Sequence, residues 1–550
     1  MTTPSPLSPP KSKAAGELTP KLLTLLREGY PLGNLRADVM AGLTVAIVAL
    51  PLSMAIAIAS GVGPERGLFT AIVGGFLVSA LGGSRYQIGG PAGAFIVLVA
   101  ACVTQTGVQG LVLATLLSGV FLTVLALFRL GSYVRFIPYP VTLGFTAGIA
   151  VIIFASQIKD LGGLSLTGEP AAILPKLQAL WAAQASLNPA AAALAAVTIA
   201  LIVGLKRYAP SLPNMLIAVA FASLAALMFH LPVETISSRF GELPRSPPTP
   251  SLPPLSLDLL LTALPWAASF TLLGAIESLL SAVVADGMSG RRHRPNAELM
   301  AQGVANIGSA LFGGICVTGT IARTATNVRA GSRGPVSGML HAIFLLLFML
   351  IAAPLAGYIP LAALAGVLAV VAWNMAEKAE IWQSLRASRA DAVVLLATFL
   401  LVVFRDLTEG IVVGFALAGL VFIHRMSEAA SVDAPLAPEG LTEASGILVY
   451  RLHGPYFFGA AARLGAALDQ LAENPRALAV DFTDVPFIDG TGAHSFELLA
   501  QKMARKHEIL YLIGTRPEVA QQLAAAGVAA PHVQFLPDLA ALEALSRGSD

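Results

Sequence analysis

The stretch CVTGTIARTATNVRAG (316–331) places a permanent positive charge, Arg323, between two long apolar runs. Its apolar part, 317–328, is too short to cross a bilayer, which takes roughly 20 residues. Irregular backbone at membrane depth survives only where protein or a cavity surrounds it. We therefore expect 317–328 to form a half-helix inside a membrane domain.

The composition of the chain indicates an integral membrane protein. Its 550 residues are 56% hydrophobic and 12% charged, with a mean hydropathy of +0.75, whereas a soluble domain carries about 25% charged residues. The net charge of +2 gives no indication of a nucleic-acid partner. Neither a GxxxxGKS/T loop nor an HExxH helix occurs, so we expect no enzyme, no metal and no cofactor.

Apolar runs predict about fourteen membrane segments in the lipid bilayer. A second short, glycine-rich run, GGPAGAFIVLVAAC (89–102), joins 317–328 as a segment that cannot cross alone. The predicted full spans are 39–59, 66–82, 109–129, 139–157, 190–206, 213–231, 260–285, 299–313, 337–354, 360–376, 390–406 and 409–424.

Charge placement predicts the orientation. An even number of segments puts both ends on one side, and the predicted loops on that side hold more Lys and Arg than the others, which marks it as cytoplasmic. We expect a multi-pass protein of the cell inner (plasma) membrane. The predicted parts are a disordered cytoplasmic N-terminus (1–35), a transporter domain (36–426), a linker (427–440) and a small cytoplasmic domain (441–546).

The C-terminal part alternates short apolar runs with amphipathic stretches. Four runs, at 446–454, 477–489, 508–514 and 533–537, are typical of strands, and 495–507 and 517–527 are typical of helices. This alternation predicts a small α/β domain.

The two short segments occupy matching places in two halves of the membrane domain. Pro91 follows Val39 by 52 residues, and Gly319 follows Ala263 by 56. Two halves of seven segments would have opposite topology and form a 7+7 inverted repeat, in which such a pair marks the transport site. Two half-helix N-termini that face each other would bind a small anion through backbone N–H groups.

Small residues would let the anion approach the backbone, and Arg323 would sit one turn inside the second half-helix and add a full charge. Alternatively, Arg323 pairs with a carboxylate elsewhere in the bundle, or lies in a loop. The small residues of the two segments are Gly89, Gly90, Ala92, Gly93, Ala94, Gly319, Thr320 and Ala322.

Glu277 is the other singular residue, because it lies near the middle of the apolar run 260–285. A carboxylate at that depth is paired, protonated or faces a cavity. It could carry a coupling proton or help to hold sodium, with Ser281 as a further ligand. The alternative is a static Glu277–Arg323 ion pair, with Ser281 bonded only to its own helix.

Four stretches resemble the SulP (sulfate-permease-like) anion transporters with a C-terminal STAS domain. They are DVMAGLTVAIVALPLSMAIAIASGV (38–62), QIGGPAGAF (87–95), the block from ESLLSAVVADG (277) to GSRGPVSG (338), and VDFTDVPFIDGTG (480–492). The block around 277–338 is the most specific, with its G-x-x-x-R-T-A-x-N core.

The resemblance implies a core (segments 1–4 and 8–11) that moves against a gate (segments 5–7 and 12–14), an elevator-like alternating access. It implies that Leu52, Ile56, Ala92, Ala322 and Arg323 face the substrate, that Glu277 takes part in coupling, and that the protein is a homodimer. Many members carry Gln where this chain has Leu52, so the resemblance points away from sulfate.

Related STAS-like domains are phosphorylated on a hydroxyl near the position of Thr491, where a phosphate at a helix N-terminus would be favourable. The simpler interpretation is that Thr491 caps the following helix.

The leading functional hypothesis is proton-coupled symport of a small organic anion such as a dicarboxylate. The alternatives are sodium-coupled bicarbonate symport, a sulfate or chloride transporter or exchanger, and a membrane receptor or scaffold that binds an anion without moving it.

Overall fold

The computed structural model describes residues 17–134, 138–166, 170, 172–210, 212–405, 407–432, 447–458, 477–529, 531 and 533–547. The chain divides into two compact units, Met1–Phe415 and Ala416–Asp550. Each unit has a hydrophobic core of its own.

The first unit is helical apart from two short strands. Its strands are β1 (Gly89–Gly90) and β2 (Thr318–Gly319). Its helices are α1 (Lys21–Glu28), α2 (Leu32–Ala59), α3 (Pro64–Phe69), α4 (Gly75–Leu81), α5 (Ile96–Leu127), α6 (Gly131–Val134), α7 (Tyr139–Gly162), α8 (Ile173–Ala182), α9 (Pro189–Tyr208), α10 (Asn214–Met228), α11 (Ile236–Phe240), α12 (Leu257–Ser289), α13 (Pro295–Leu311), α14 (Ile321–Arg329), α15 (Val336–Ala356), α16 (Leu361–Met375), α17 (Lys378–Ala387), α18 (Arg389–Phe404) and α19 (Leu407–Glu428), which continues into the second unit.

In the described part of the chain, eight helices are long and apolar enough to cross a membrane. Helices dominate because every backbone N–H and C=O in a bilayer needs a partner within its own segment. The other predicted spans appear as shorter helices, namely α3–α4, α10, α13 and α18. The predicted α-helical membrane fold is confirmed.

The third and fourth predicted segments form one kinked helix. A 3₁₀ turn at Gly93–Phe95 leads into α5, and Gly107 interrupts the helix with φ 68° and ψ −178°. Glycine is the residue that adopts this backbone without steric cost. The sequence prediction of two separate segments (89–102 and 109–129) therefore describes two arms of α5.

The two halves of the membrane unit repeat one order of elements. Each half starts with a long helix that contains an internal proline, Pro51 in α2 and Pro265 in α12. Each then has a helical second segment and a two-residue strand that leads into a half-helix.

Packing sorts these helices into two groups. In the first, α5 packs against α12 and α13, α2 against α15, and α14 against α2 and α12; in the second, α7 packs against α16 and α18, and α9 against α10 and α16. The movement of a core against a gate stays a prediction.

Part of the predicted disordered N-terminus is ordered. Residues 21–28 form α1, and Leu25 is buried. The backbone N–H of Lys21 donates to the carbonyl of Gly82 (2.9 Å), and the Arg294 guanidinium donates to the Thr24 hydroxyl (2.9 Å). These bonds and the buried leucine explain why the prediction of disorder is wrong here. Residues 1–16 lie outside the described part.

The second unit contains a five-stranded sheet in the order β3-β4-β5-β6-β7. The strands β4 to β7 are parallel, and β3 runs antiparallel to β4. The elements are β3 (Ser431–Val432), β4 (Ile447–His453), β5 (Ala477–Asp484), α20 (Gly490–Arg505), β6 (Ile509–Ile513), α21 (Pro517–Ala525), β7 (Val533–Leu536) and α22 (Leu539–Arg547). The predicted α/β domain is confirmed.

The predicted linker, 427–440, is partly structured. Its start belongs to α19, which ends at Glu428, and β3 pairs with β4 through Ser431 and His453. This pairing gives β3 a place in the sheet that composition alone does not reveal. Residues 433–440 lie outside the described part, as do 441–446 of the predicted C-terminal domain.

Candidate functional site

The two broken segments meet inside the membrane unit. Gly89 pairs with Gly319 and Gly90 with Thr318 in an antiparallel ladder. The 3₁₀ turn into α5 follows β1 after Pro91 and Ala92, and α14 follows β2 after Thr320. The two helix N-termini therefore start from adjacent strands, and their unpaired N–H groups give this place a positive potential.

Polar side chains from neighbouring helices take over the broken backbone hydrogen bonds. The Asn306 amide on α13 accepts from the N–H of Val317 (3.0 Å) and donates to its carbonyl (2.8 Å). The Thr70 hydroxyl accepts from the N–H of Ile315 (2.7 Å). An unsatisfied backbone group in a bilayer costs several kcal/mol, so these side chains make the extended segment possible.

A second set of bonds ties the two segments to each other. The carbonyl of Ile88 accepts from the N–H of Thr320 (2.9 Å) and from its hydroxyl (3.2 Å). The Thr324 hydroxyl accepts from the N–H of Ile88 (3.1 Å) and from the Ser281 hydroxyl (3.1 Å). The Thr320 and Ser281 hydroxyls, both predicted to contact ligands, thus join α12, α14 and β1.

Arg323 lies behind the meeting point of the two segments. It is the third residue of α14, within the first turn rather than one turn inside, and the residue is 1% exposed. Its Nη2 donates to the Ser53 hydroxyl (3.1 Å) and the Pro91 carbonyl (3.4 Å). Nε and Nη1 have no hydrogen-bond partner in the described part of the chain. A buried guanidinium with two free donors is costly unless an acceptor approaches.

Two glycines of the third segment differ in the space around them. A Cβ added to Gly90 would lie 2.2 Å from Nη1 of Arg323, so the missing side chain makes room for the guanidinium. A Cβ on Gly93 would make ordinary contacts with Ile153 on α7 (3.4 Å) and Met375 on α16 (3.6 Å). Gly93 therefore borders both packing groups of helices.

The remaining residues that were predicted to contact the anion differ in burial and surroundings. Four of them are buried in one apolar cluster: Leu52, Ile56, Ala92 and Ala94. At Gly319 the Gln87 amide occupies the place of a side chain, with Nε2 1.7 Å from an added Cβ. Ala322 is exposed on α14, which leaves one side of the half-helix accessible beside buried Arg323.

Glu277 on α12 has no ion pair or hydrogen bond to its carboxylate within the described ranges, although only 8% of the residue is exposed. The alternative of a static Glu277–Arg323 pair is therefore wrong: no salt bridge joins them. Gly274, about one turn before Glu277, and Ser278, the next residue, hold α12 against the broken segments. The Gly274 carbonyl accepts from Thr318 (3.3 Å), and the Ser278 carbonyl accepts from Gln87 (2.9 Å).

Two buried carboxylates hold the loops next to the half-helices. Glu298 accepts from the N–H groups of Gly83 (2.9 Å) and Ser84 (3.0 Å), just before β1. Asp38 accepts from the N–H groups of Arg333 (2.6 Å) and Gly334 (3.2 Å), just after α14. Carboxylate–amide bonds are strong, so these contacts fix both segments from one end of the bundle.

Thr491 belongs to the second unit and does not cap a helix. Asp489 is the N-cap of α20, with its carboxylate accepting from Gly492 (2.7 Å). Thr491 is exposed in the first turn. The capping interpretation is therefore wrong, and phosphorylation stays a prediction.

The supporting polar residues were missed in the sequence. Asn306, Gln87, Thr324 and Ser53 contact backbone or Arg323 rather than an open cavity. The available signal was a polar residue inside an apolar run next to a predicted half-helix, which needs backbone partners.

Comparison with known proteins identifies the family of the membrane unit and of the C-terminal domain. The Sulfate permease family model matches residues 35–398, and the STAS domain model matches 441–537. The chain is 38% identical to the putative sulfate transporter YvdB of Bacillus subtilis (strain 168), over 91% of this chain and 95% of that protein. It is 30% identical to the bicarbonate transporter BicA of Picosynechococcus sp., over 89% of this chain and 90% of that protein.

Among solved structures, SLC26A9 matches with a TM-score of 0.85 at 18% identity, over 97% of this chain and 93% of that chain. At that identity the likeness shows the fold alone. The family model covers more than half of the chain, and a relative at 38% identity spans nearly all of it. This chain therefore belongs to the sulfate permease family, as an anion transporter with a C-terminal STAS domain.

Proposed function

We propose that this transporter takes up a small monovalent oxyanion of the bicarbonate class together with sodium, at the meeting point of the two half-helices. The observation that carries the proposal is Arg323: it is buried, it has two free donors, and no carboxylate pairs with it. A buried charge without a partner is strongly unfavourable. A bound anion would supply that partner next to two helix N-termini.

Charge matching favours a monovalent anion. One unpaired guanidinium is neutralised by bicarbonate, whereas sulfate or a dicarboxylate would leave a negative charge in a low-dielectric site. The relative BicA is called a bicarbonate transporter, and YvdB a putative sulfate transporter. Leu52, where many family members carry Gln, removes a polar ligand from the site and supports the choice against sulfate.

Glu277 is the proposed coupling group. Its carboxylate is buried and has no partner in the described ranges, so a bound cation would offset its charge. A sodium ion there would offset the carboxylate while the anion offsets Arg323, so the loaded core would cross the membrane with little net charge. We expect an elevator-like movement, cytoplasmic termini in the inner (plasma) membrane and a homodimer, as the family resemblance implies.

A second candidate is proton-coupled symport of a small carboxylate, including the dicarboxylate predicted from the sequence. It is favoured by the Glu277 carboxylate, which belongs to a residue only 8% exposed and has no ion pair or hydrogen bond within the described ranges. A lone buried carboxylate readily takes up a proton. Neither relative named above is called a dicarboxylate carrier, so this candidate ranks second.

The test is uptake of radiolabelled bicarbonate, sulfate and fumarate into liposomes that contain the purified full chain. An inward sodium gradient at fixed pH is compared with a potassium gradient, and a pH gradient is imposed separately. We expect uphill bicarbonate uptake that requires sodium and disappears in Glu277→Gln. The exposed Glu380 on α17 provides the matched control, Glu380→Gln, which should leave uptake unchanged.

The outcomes separate the candidates. Uptake of fumarate driven by pH and indifferent to sodium would replace the first proposal by the second. Sulfate uptake that bicarbonate does not inhibit would overturn both. The absence of any anion flux under every gradient, in protein that is folded, would favour a receptor or scaffold.

A further inference from the structure

Two neighbouring cavities open at the end of the bundle where α5, α12 and α13 meet. The larger, about 700 Å³, is lined by Leu279, Leu280 and Val283 of α12 and by the arginines that follow that helix. The smaller, about 590 Å³, contains Arg129 and the exposed aromatic rings of Phe128 and Tyr133. Both include His293 and Pro295, so they form one continuous recess, which we name the α12 groove.

The α12 groove carries an excess of positive charge, because four arginines and two carboxylates line its two cavities. Arg291 and Arg292 line its larger cavity and are exposed, and Arg129 lines the smaller one. None of these three guanidinium groups has a carboxylate within 4 Å in the described part of the chain.

Each acidic residue of the groove has a hydrogen-bond partner within the groove. The Asp286 carboxylate contacts His293 (2.7 Å), and the Glu17 carboxylate accepts from the Asn296 amide (3.4 Å). The fourth arginine, Arg294, donates to the Thr19 carbonyl (2.8 Å) and to Thr24. The four arginines of the groove outnumber its two carboxylates, so an anionic ligand would complement its net positive charge.

One wall of the groove is apolar and continues onto the exposed surface of the membrane unit. Val283 is 51% exposed and Met288 is 40% exposed on the outer side of α12. An exposed tyrosine such as Tyr133 is typical of the depth at which lipid headgroups meet acyl chains. A ligand with an anionic head and an apolar tail matches this arrangement, and a basic pocket between helices is a recognised way to hold such a headgroup.

We propose that the α12 groove binds an anionic glycerophospholipid, with its phosphate between Arg129, Arg291 and Arg292 and an acyl chain along Leu280 and Val283. The groove is separate from the Arg323 pocket, so this inference does not depend on the proposed function. Because Leu279 and Leu280 lie within one turn of Glu277, a bound lipid would contact the helix that carries the coupling group.

The test is native mass spectrometry of the full-length protein in detergent with added lipid. Phosphatidylglycerol and phosphatidylcholine with identical acyl chains are compared, and inorganic phosphate is a competitor. We expect the wild type to bind phosphatidylglycerol at least tenfold more tightly than phosphatidylcholine. The Arg291→Gln/Arg292→Gln variant should lose this preference, whereas Arg386→Gln/Arg389→Gln, an equal charge change at exposed arginines of another helix pair, should keep it.

A second variant tests the apolar part of the site. Val283→Trp fills the groove without changing its charge and should weaken phosphatidylglycerol binding severalfold; unchanged binding would overturn the acyl-chain contact and with it the lipid proposal. Complete displacement of the lipid by millimolar phosphate would identify a simple anion site instead. Equal binding of both lipids by the wild type would contradict the proposal directly.

Discussion

The two broken segments share a position in the fold but contribute differently to the site. The third segment (89–102) has no charged residue, passes through Pro91 and continues into the long helix α5. The tenth segment (317–328) carries Arg323 and contains most of the nine-residue helix α14, which ends at Arg329. Both start from paired two-residue strands.

The difference shows how a repeated architecture can build an asymmetric site. The third segment supplies small residues and the backbone carbonyl of Pro91, and the Arg323 guanidinium of the tenth segment donates a hydrogen bond to that carbonyl. Gly90 leaves the room that Arg323 needs. One half therefore shapes the pocket, and the other supplies its charge.

Removing the charge of the tenth segment should have the largest effect. We expect Arg323→Ala to weaken apparent anion affinity at least about tenfold, because charged hydrogen bonds contribute about 1.5–3 kcal/mol each. Saturation curves of anion uptake into liposomes measure this. Arg329→Ala, at the exposed end of the same helix, is the control, and an equal loss in both variants would show that α14 rather than Arg323 matters.

Changing α12, which holds both segments, should separate binding from coupling. In Glu277→Gln we expect uphill uptake to disappear while exchange of labelled for unlabelled anion continues, because the neutral amide can no longer release or bind the coupling cation. Counterflow and gradient-driven uptake are measured side by side. Persisting uphill transport would remove Glu277 from the mechanism.

Gly90 and Gly93 of the third segment should respond differently to an added methyl group, because only Gly90 lies against Arg323. Gly90→Ala places a Cβ against the Arg323 guanidinium and should lower affinity about tenfold, since displacing a charged bond costs about 1.5–3 kcal/mol. Gly93→Ala meets only ordinary contacts and should change affinity about twofold or less. Reversed effects would contradict the position assigned to the guanidinium.

Removing the hydrogen bond between the Ile88 N–H and the Thr324 hydroxyl should have the smallest effect of these changes, on stability rather than on transport. Thr324→Val removes the acceptor of the Ile88 N–H and should cost about 1–3 kcal/mol of stability. Thr326→Val removes only a bond to the helix's own Ala322 carbonyl and serves as the control. Thermal unfolding in detergent compares the two, and equal midpoints would show that the tie is dispensable.

Apolar periodicity and the two glycine-rich interruptions were enough to predict the helical membrane fold and the half-helices. The direction in which Arg323 points could not be predicted, because it depends on the room at Gly90 and on Ser53, 270 residues away in the chain. The same applies to Asn306, whose role as a substitute for backbone partners becomes visible only when Val317 is found extended beside it. Local patterns thus predict where helices break, whereas tertiary contacts decide what satisfies the break.

The most direct test of a single pocket shared by both segments is protection of cysteines by the anion. Gly93→Cys and Ala322→Cys, each alone, are labelled with a membrane-impermeant thiol reagent over a range of bicarbonate concentrations; neither position is buried, whereas the native Cys102 and Cys316 are. We expect labelling at both positions to fall with the same half-effective bicarbonate concentration, while labelling of Thr326→Cys, one turn along α14, does not fall. Protection of only one position, or of neither, would contradict a shared site.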